Sequence, residues 1–99
     1  MRKNIIIGNW KMNKTPQESI SFIEALQSKI STNASIETII APPFTSLYIA
    51  SNLLKETSIK CAAQSISKHQ NGAFTGDISA EMIKHTGCTH TLVGHSERR

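Results

Sequence analysis

Two adjacent stretches decide the fold class: NIIIGNW at residues 4–10 and TPQESISFIEALQSKI at residues 15–30. The first is a short β-branched run bounded by polar residues, which is typical of a buried parallel strand. In the second, Thr15 can cap a helix, Pro16 suits its first position, and Glu18 completes a capping box. Apolar residues then follow at helical spacing along one stripe, namely Ile20, Ile23, Leu26 and Ile30. The chain therefore opens with a predicted strand and a predicted amphipathic helix.

The same alternation continues through the rest of the chain. The patterns predict further strands at 36–43, 58–64 and 89–95, with helices at 44–56 and 79–87. The second strand stops where two consecutive prolines remove N–H donors. Ser79 can cap the third helix, and Gly87 can end it in the left-handed conformation.

This β-α-β-α-β-α-β order predicts an α/β fold with a parallel sheet and right-handed crossovers. The pattern alone fits two architectures, a doubly wound open sheet or part of a (β/α)8 barrel. No GxGxxG motif follows the first strand, which disfavours the dinucleotide-binding form of the open sheet.

Length and composition indicate one small globular unit. The 99 residues suit one domain at most, and 38% hydrophobic with 18% charged residues is neither a disordered nor a fibrous composition. No apolar run approaches the roughly 18 residues of a membrane span, and the N-terminus lacks a secretory apolar core of about 7 to 15 residues. We therefore expect a cytoplasmic chain. In that setting Cys61 and Cys88 are expected to be reduced thiols with a structural role.

The charge balance favours a small anionic substrate over nucleic acid. The formal net charge is +4, and the basic residues are spread from Arg2 to Arg99. No basic run is interleaved with aromatic residues, so nucleic-acid binding has little support. A modest positive charge suits an anionic small molecule.

Polar residues follow the predicted strands, and in parallel α/β folds ligands bind at that end of the sheet. The residues that reach this rim are Asn9, Trp10 and Lys11, the Pro42–Pro43 turn, Gln64 and Ser65, and His95, Ser96 and Glu97. A lysine can neutralise an anion, an amide can bind a carbonyl or hydroxyl, and an imidazole can move protons. The sequence therefore predicts a polar site that handles an anion.

Each of these residues also has a non-catalytic interpretation. Lys11 could be a solvated loop lysine, and Asn9 could simply turn the chain after its strand. His95 could donate a hydrogen bond to a backbone carbonyl, and Glu97 could be an ion-pair partner for Lys11 or an arginine. The remaining histidines, His69, His85 and His90, show no metal-ligand spacing, so we interpret them as surface or structural residues. The residues by themselves leave the reaction unspecified.

Five motifs, in order along the chain, resemble the triose-phosphate isomerase family. They are GNWKMNK at 8–14, APPFTSLY at 41–48, CAAQSIS at 61–67, NGAFTGDISAEMIK at 71–84 and LVGHSERR at 92–99. The family folds as a (β/α)8 barrel, or TIM barrel, of about 250 residues. The resemblance covers its first four strands and three helices. It implies that residues 1–99 are the N-terminal part of a single TIM-barrel domain.

The resemblance also implies an activity and roles for named residues. Members of the family are aldose–ketose isomerases of glycolysis and gluconeogenesis. They interconvert dihydroxyacetone phosphate and glyceraldehyde 3-phosphate through an enediol(ate), without cofactor or metal. Asn9 and Lys11 match the family's substrate-binding pair, with Lys11 neutralising phosphate and enediolate charge. His95 matches the electrophile of the family. That histidine is a standard example of a catalytic histidine that stays neutral. Ser96 and Glu97 match the supporting residues beside it.

Two further expectations come from the same resemblance. The family's GAFTGD loop reaches into a second subunit, so Thr75 would lie near the partner's active site in a homodimer. The family's catalytic base follows a later strand that these 99 residues do not match, so we expect the isolated polypeptide to be inactive. We also expect it to be marginally stable, prone to aggregation or dependent on a partner, because a partial barrel leaves strand edges unpaired. The alternative is a non-catalytic fragment that serves folding or assembly.

Overall fold

The chain folds into four strands that alternate with three helices, as the sequence predicts. The computed structural model describes residues 4–29 and 36–93. In chain order the elements are β1 (Asn4–Asn9), α1 (Pro16–Lys29), β2 (Ile36–Ala41), α2 (Phe44–Leu53), β3 (Lys60–Ala63), α3 (Ala80–His85) and β4 (His90–Thr91). Most elements are shorter than predicted, and β4 differs most. Of its predicted span 89–95, only two residues pair as a strand, and residues 94 and 95 are not among those described.

The strand order separates the two architectures that the pattern left open. The four strands form one sheet in the order β1-β2-β3-β4, and every adjacent pair is parallel. A doubly wound sheet reverses its strand order at a switch point, whereas a barrel adds each strand beside its predecessor. The described strands therefore follow the arrangement of a barrel.

Helix boundaries follow the predicted capping signals. The backbone N–H of Glu18 donates to Thr15 Oγ1 at 3.2 Å, and the Thr15 N–H donates to the Glu18 carboxylate at 3.0 Å. This hydrogen bond from the Thr15 backbone lowers the pKa of Glu18. At α3, Ser79 Oγ accepts from the Met82 N–H at 3.2 Å, and Gly87 follows the helix with φ of 92°.

Within the described part of the chain, no helix has the length and apolarity to cross a membrane.

The sheet buries apolar side chains on both faces. On the face that carries the helices, one cluster joins strand residues such as Ile40 to Ile23 of α1 and Leu47 of α2. On the opposite face, a smaller cluster consists of Ile39, Ala41 and Ala62, with Leu92 packed against it. The second cluster contains only residues of the strands and of the segment after β4, as expected for the inner face of a barrel.

Cys61 and Cys88 are both buried free thiols. Cys88 Sγ lies 3.1 Å from the Cys61 carbonyl oxygen. Burial raises the pKa of Cys61 to about 12, with a further contribution from the nearby Cys88, and burial also raises the pKa of Cys88. A thiol that stays protonated is a poor nucleophile, so the geometry supports the structural interpretation.

Strand β1 is the least covered element of the sheet. Among the described strands it pairs only with β2. Its isoleucines Ile5, Ile6 and Ile7 remain 57%, 56% and 49% exposed. An exposed apolar edge strand is a site for pairing with other chains.

Candidate functional site

The carboxyl ends of β1, β2 and β3 are joined by hydrogen bonds to one carbonyl. The Trp10 backbone N–H donates to the Ala41 oxygen at 3.1 Å, and Gln64 Nε2 donates to the same oxygen at 2.9 Å. Residues that lie far apart in sequence therefore meet at one rim of the sheet, as the sequence predicts for Asn9, Lys11 and Gln64.

Lys11 occupies an unusual backbone conformation on this rim. Its φ is 56°, in the left-handed region that a residue with a Cβ rarely adopts. Its N–H donates to Asn9 Oδ1 at 3.0 Å, and its carbonyl accepts from Gln64 Nε2 at 2.7 Å. Two side chains thus hold both polar backbone groups of one residue. Such strain persists where the surroundings over-determine it, and it is typical of functional sites.

The loop that carries Lys11 is anchored to α1. Trp10 is buried, and its ring meets Phe22 edge-on, with centroids 5.3 Å apart. Asn13 Nδ2 donates to the Trp10 carbonyl at 2.9 Å, and Lys14 Nζ lies 4.5 Å from the centroid of the Phe22 ring. The Lys11 side chain is exposed at the end of this fixed loop, so its ammonium group can reach an anion above the sheet.

Gln64 has a role that the sequence did not assign. Its position directly after the third strand placed it on the rim, but nothing in the pattern predicts that its amide group donates to two carbonyls from β2 and the Lys11 loop. One sequence signal could have suggested this pair of hydrogen bonds. Gln64 has a side-chain amide with two N–H donors, and it directly follows a strand that packs through alanines.

The other predicted site residues have different outcomes. Thr75 is exposed in the loop between β3 and α3. His95, Ser96 and Glu97 are outside the described residues, so the predicted meeting of Lys11 with His95 stays a prediction. Within residues 4–29 and 36–93, no group of three or more potential metal ligands comes together.

A cavity of about 380 Å³ lies at the opposite end of the sheet. It lies between the last turns of α2 and α3, and Lys55, Lys60 and His85 are among its lining residues. In parallel α/β folds the reactive groups follow the carboxyl ends of the strands. We therefore place the candidate active site at the rim of Asn9 and Lys11.

Comparison with known proteins identifies the family of the chain. The family model for triosephosphate isomerase matches residues 4–99. The chain belongs to the triosephosphate isomerase family. The triosephosphate isomerase of Dictyoglomus thermophilum is 50% identical over all 99 residues, and those of Alkaliphilus metalliredigens and Endomicrobium trichonymphae are 48% and 46% identical over the same span. In each case the match covers the whole of this chain and 40% of the relative's length.

Family membership confirms the predicted (β/α)8 fold class. The sequential parallel sheet described above corresponds to the first half of a TIM barrel.

Experiments on the site need a closed barrel. We use the name hybrid barrel for residues 1–99 joined to the part of the Dictyoglomus thermophilum triosephosphate isomerase that follows its matched segment.

Replacing Gln64 with alanine in the hybrid barrel should weaken both the fold and the site. The change removes two hydrogen bonds and takes the Gln64 donor from the Lys11 carbonyl, while the Ala41 carbonyl keeps the Trp10 N–H. The free energy of unfolding should therefore fall by about 1–3 kcal/mol. The release of the Lys11 carbonyl should lower kcat/KM by about tenfold. Urea unfolding and steady-state kinetics measure the two effects.

Gln17→Ala, at an exposed position on α1, is the matched control and should change neither quantity. A Gln64→Ala variant with wild-type kcat/KM would show that the clamp on Lys11 is dispensable for turnover.

Proposed function

We propose that residues 1–99 form the N-terminal part of a single TIM-barrel domain whose function is triosephosphate isomerisation. The reaction is the interconversion of dihydroxyacetone phosphate and glyceraldehyde 3-phosphate through an enediol(ate). The observation that carries the proposal is the clamped Lys11 loop at the carboxyl end of β1, in a chain that belongs to this family.

In this proposal Lys11 supplies the positive charge of the site. The substrate carries an anionic phosphate, and the enediolate adds negative charge as the reaction proceeds. A cation held in a fixed position stabilises developing charge without reorganising at the moment of reaction. The two backbone hydrogen bonds of Lys11 provide that fixation, because they hold the Cα from which the side chain extends.

Asn9 contributes through its side chain as well as its position. Its Oδ1 accepts from the Lys11 N–H, so the Nδ2 of the same side-chain amide points away from the Lys11 backbone. An amide N–H of this kind can donate to a substrate oxygen. Turning the chain and binding substrate are therefore compatible roles for the same residue.

His95, Ser96 and Glu97 complete the proposed site. His95 acts as the electrophile, which polarises the substrate carbonyl and passes protons between the two oxygens. Ser96 and Glu97 support it, and Glu97 lies near Lys11 in this proposal. No cofactor or metal takes part. The proposed assembly is a cytoplasmic homodimer in which Thr75 approaches the partner's active site.

An assay of the hybrid barrel tests the proposal. In a coupled assay, the purified hybrid barrel should convert glyceraldehyde 3-phosphate to dihydroxyacetone phosphate. Its rate should be well above the uncatalysed rate in buffer alone. The control is the Dictyoglomus portion expressed without residues 1–99, which should be inactive. A folded hybrid barrel without isomerase activity would contradict the proposed function.

A further inference from the structure

The loop between β3 and α3 contains an aromatic stack. The rings of His69 and Phe74 lie face to face, with centroids 4.0 Å apart and planes 4° from parallel. Both residues belong to an otherwise exposed segment, and Phe74 itself is 41% exposed. A stacked pair at the surface that joins positions five apart in a loop restricts the conformations of the chain between them.

Backbone hydrogen bonds close the same loop at its base and at its tip. At the base, the Ser67 N–H donates to the Ile78 carbonyl at 2.8 Å. At the tip, the Asp77 N–H donates to the Phe74 carbonyl at 2.9 Å. Phe74 to Asp77 therefore form a turn in which Thr75 and Gly76 are the central residues. The φ of 88° at Gly76 is the value that the second central residue of a type II turn requires.

Gly72 lies against the Phe74 ring. A Cβ at Gly72 would lie 2.8 Å from Phe74 Cε2, which is too close for a real carbon contact. Its φ of 131° is also unfavourable for a residue with a side chain. The Phe74 ring thus contacts the His69 imidazole and packs closely on the Gly72 backbone, and its position fixes the first residue of the turn that carries Thr75.

We propose that His69 is a positioning residue for subunit association: its stack on Phe74 holds the turn at Thr75 in the shape that the partner subunit receives. The proposal rests on the homodimer and the role of Thr75 in the proposed function. It adds a residue whose side chain does not need to touch the partner or the substrate. His69 acts through Phe74, and Phe74 through the Thr75 turn.

The other histidines of the described chain have different surroundings. His85 faces Glu81 one turn earlier on α3 at 4.0 Å, with its side chain 76% exposed. His90 lies between Thr89 Oγ1 at 2.7 Å and Glu37 at 3.8 Å. Neither has a ring contact with an aromatic side chain among the described residues. His69 is thus the described histidine whose flat face has an aromatic partner.

Three variants of the hybrid barrel test this role. His69→Ala removes the stack, His69→Phe preserves an aromatic ring at the same position, and His85→Ala is the control at an exposed histidine outside the loop. Sedimentation equilibrium measures the dimer dissociation constant. An aromatic pair of this kind shifts an equilibrium by up to about tenfold, so His69→Ala should raise the dissociation constant by about that factor. His69→Phe and His85→Ala should stay near the wild-type value.

A second readout reports on the loop itself. Trypsin cleaves after lysine, and Lys68 lies exposed in the loop beside His69. On monomers, at protein concentrations below the dimer dissociation constant, cleavage at Lys68 should be faster in His69→Ala, by about tenfold, and close to the wild-type rate in His69→Phe. Equal far-UV CD spectra show that the variants share one fold. At protein concentrations that restore the dimer, kcat should return to the wild-type value, because His69 takes no part in the chemistry.

The results separate this proposal from the proposed isomerase activity. Unchanged dissociation constant and cleavage rate in His69→Ala would overturn the role of His69, and so would a wild-type hybrid that is monomeric. Failure of His69→Phe to restore association would overturn stacking as the cause. A wild-type hybrid that is dimeric but inactive would contradict the isomerase function, and the dissociation constants would still decide the role of His69.

Discussion

Replacing Lys11 with alanine in the hybrid barrel should lower kcat/KM by about 10²–10³-fold, the effect of losing one preorganised charge-stabilising group. The free energy of unfolding should change by less than about 1 kcal/mol, because the side chain is exposed and the backbone clamp of Asn9 and Gln64 remains. Steady-state kinetics and urea unfolding measure the two quantities. Lys29→Ala, at the exposed end of α1, is the matched control.

Lys11→Gly separates charge from backbone strain. Glycine removes the same ammonium group as alanine does, so activity should fall equally in the two variants. Because glycine adopts a φ of 56° at little steric cost, the strain that alanine retains is relieved. The entropy of the more flexible unfolded chain offsets part of that gain. A loss of activity below threefold in either variant would be inconsistent with an electrostatic role for Lys11.

Placing lysines on β1 should have opposite effects in the hybrid barrel and in the 99-residue polypeptide. Ile7 pairs in register with Ile39, which packs on the face away from the helices, and Ile5 lies two residues earlier on the same face. In a closed barrel this face is interior, and an unpaired buried charge costs several kcal/mol. Because total stability is typically about 5–15 kcal/mol, the double variant Ile5→Lys, Ile7→Lys should prevent the hybrid barrel from folding.

In the 99-residue polypeptide the same two positions are about half exposed. Lysines there should reduce self-association, because they remove the apolar edge and add repulsion between copies. Light scattering measures association, and CD measures folding of the hybrid. Leu53→Lys, at a partly exposed apolar position on α2, is the control and should leave the hybrid folded. A folded and active Ile5→Lys, Ile7→Lys hybrid would exclude an interior location for this face.

Local signals in the sequence predicted most of the fold. The capping box of Thr15 and Glu18, the cap at Ser79 and the left-handed Gly87 are all present as expected, because each depends on residues within one turn of each other. The parallel alternation was also predictable. Strand order was not, since a doubly wound sheet and a barrel share the same local pattern, and only the resemblance to a family favoured the barrel.

The sequence did not predict the long-range contacts of the candidate site. The sequence placed Asn9, Lys11 and Gln64 on one rim by the rule for parallel sheets. It did not reveal the positive φ of Lys11, because no glycine marks that position. The contacts of Gln64 with the Lys11 loop depend on a neighbour 53 residues away, and such a pairing has no periodic signal. The stack of His69 on Phe74 has no sequence signal either, and the spacing of that histidine predicts only a surface or structural residue.

The sequential order of the strands has a consequence for biosynthesis. In a barrel of about 250 residues, the strand that closes on β1 is the last to be made, since every earlier strand joins the sheet beside its predecessor. At about 5–20 residues per second, roughly 150 further residues take about 8–30 seconds to leave the ribosome. Throughout that interval the isoleucines of β1 have no partner on their outer edge. The outer edge of the first strand of such a nascent chain therefore stays open to pairing with other chains long after that strand has emerged.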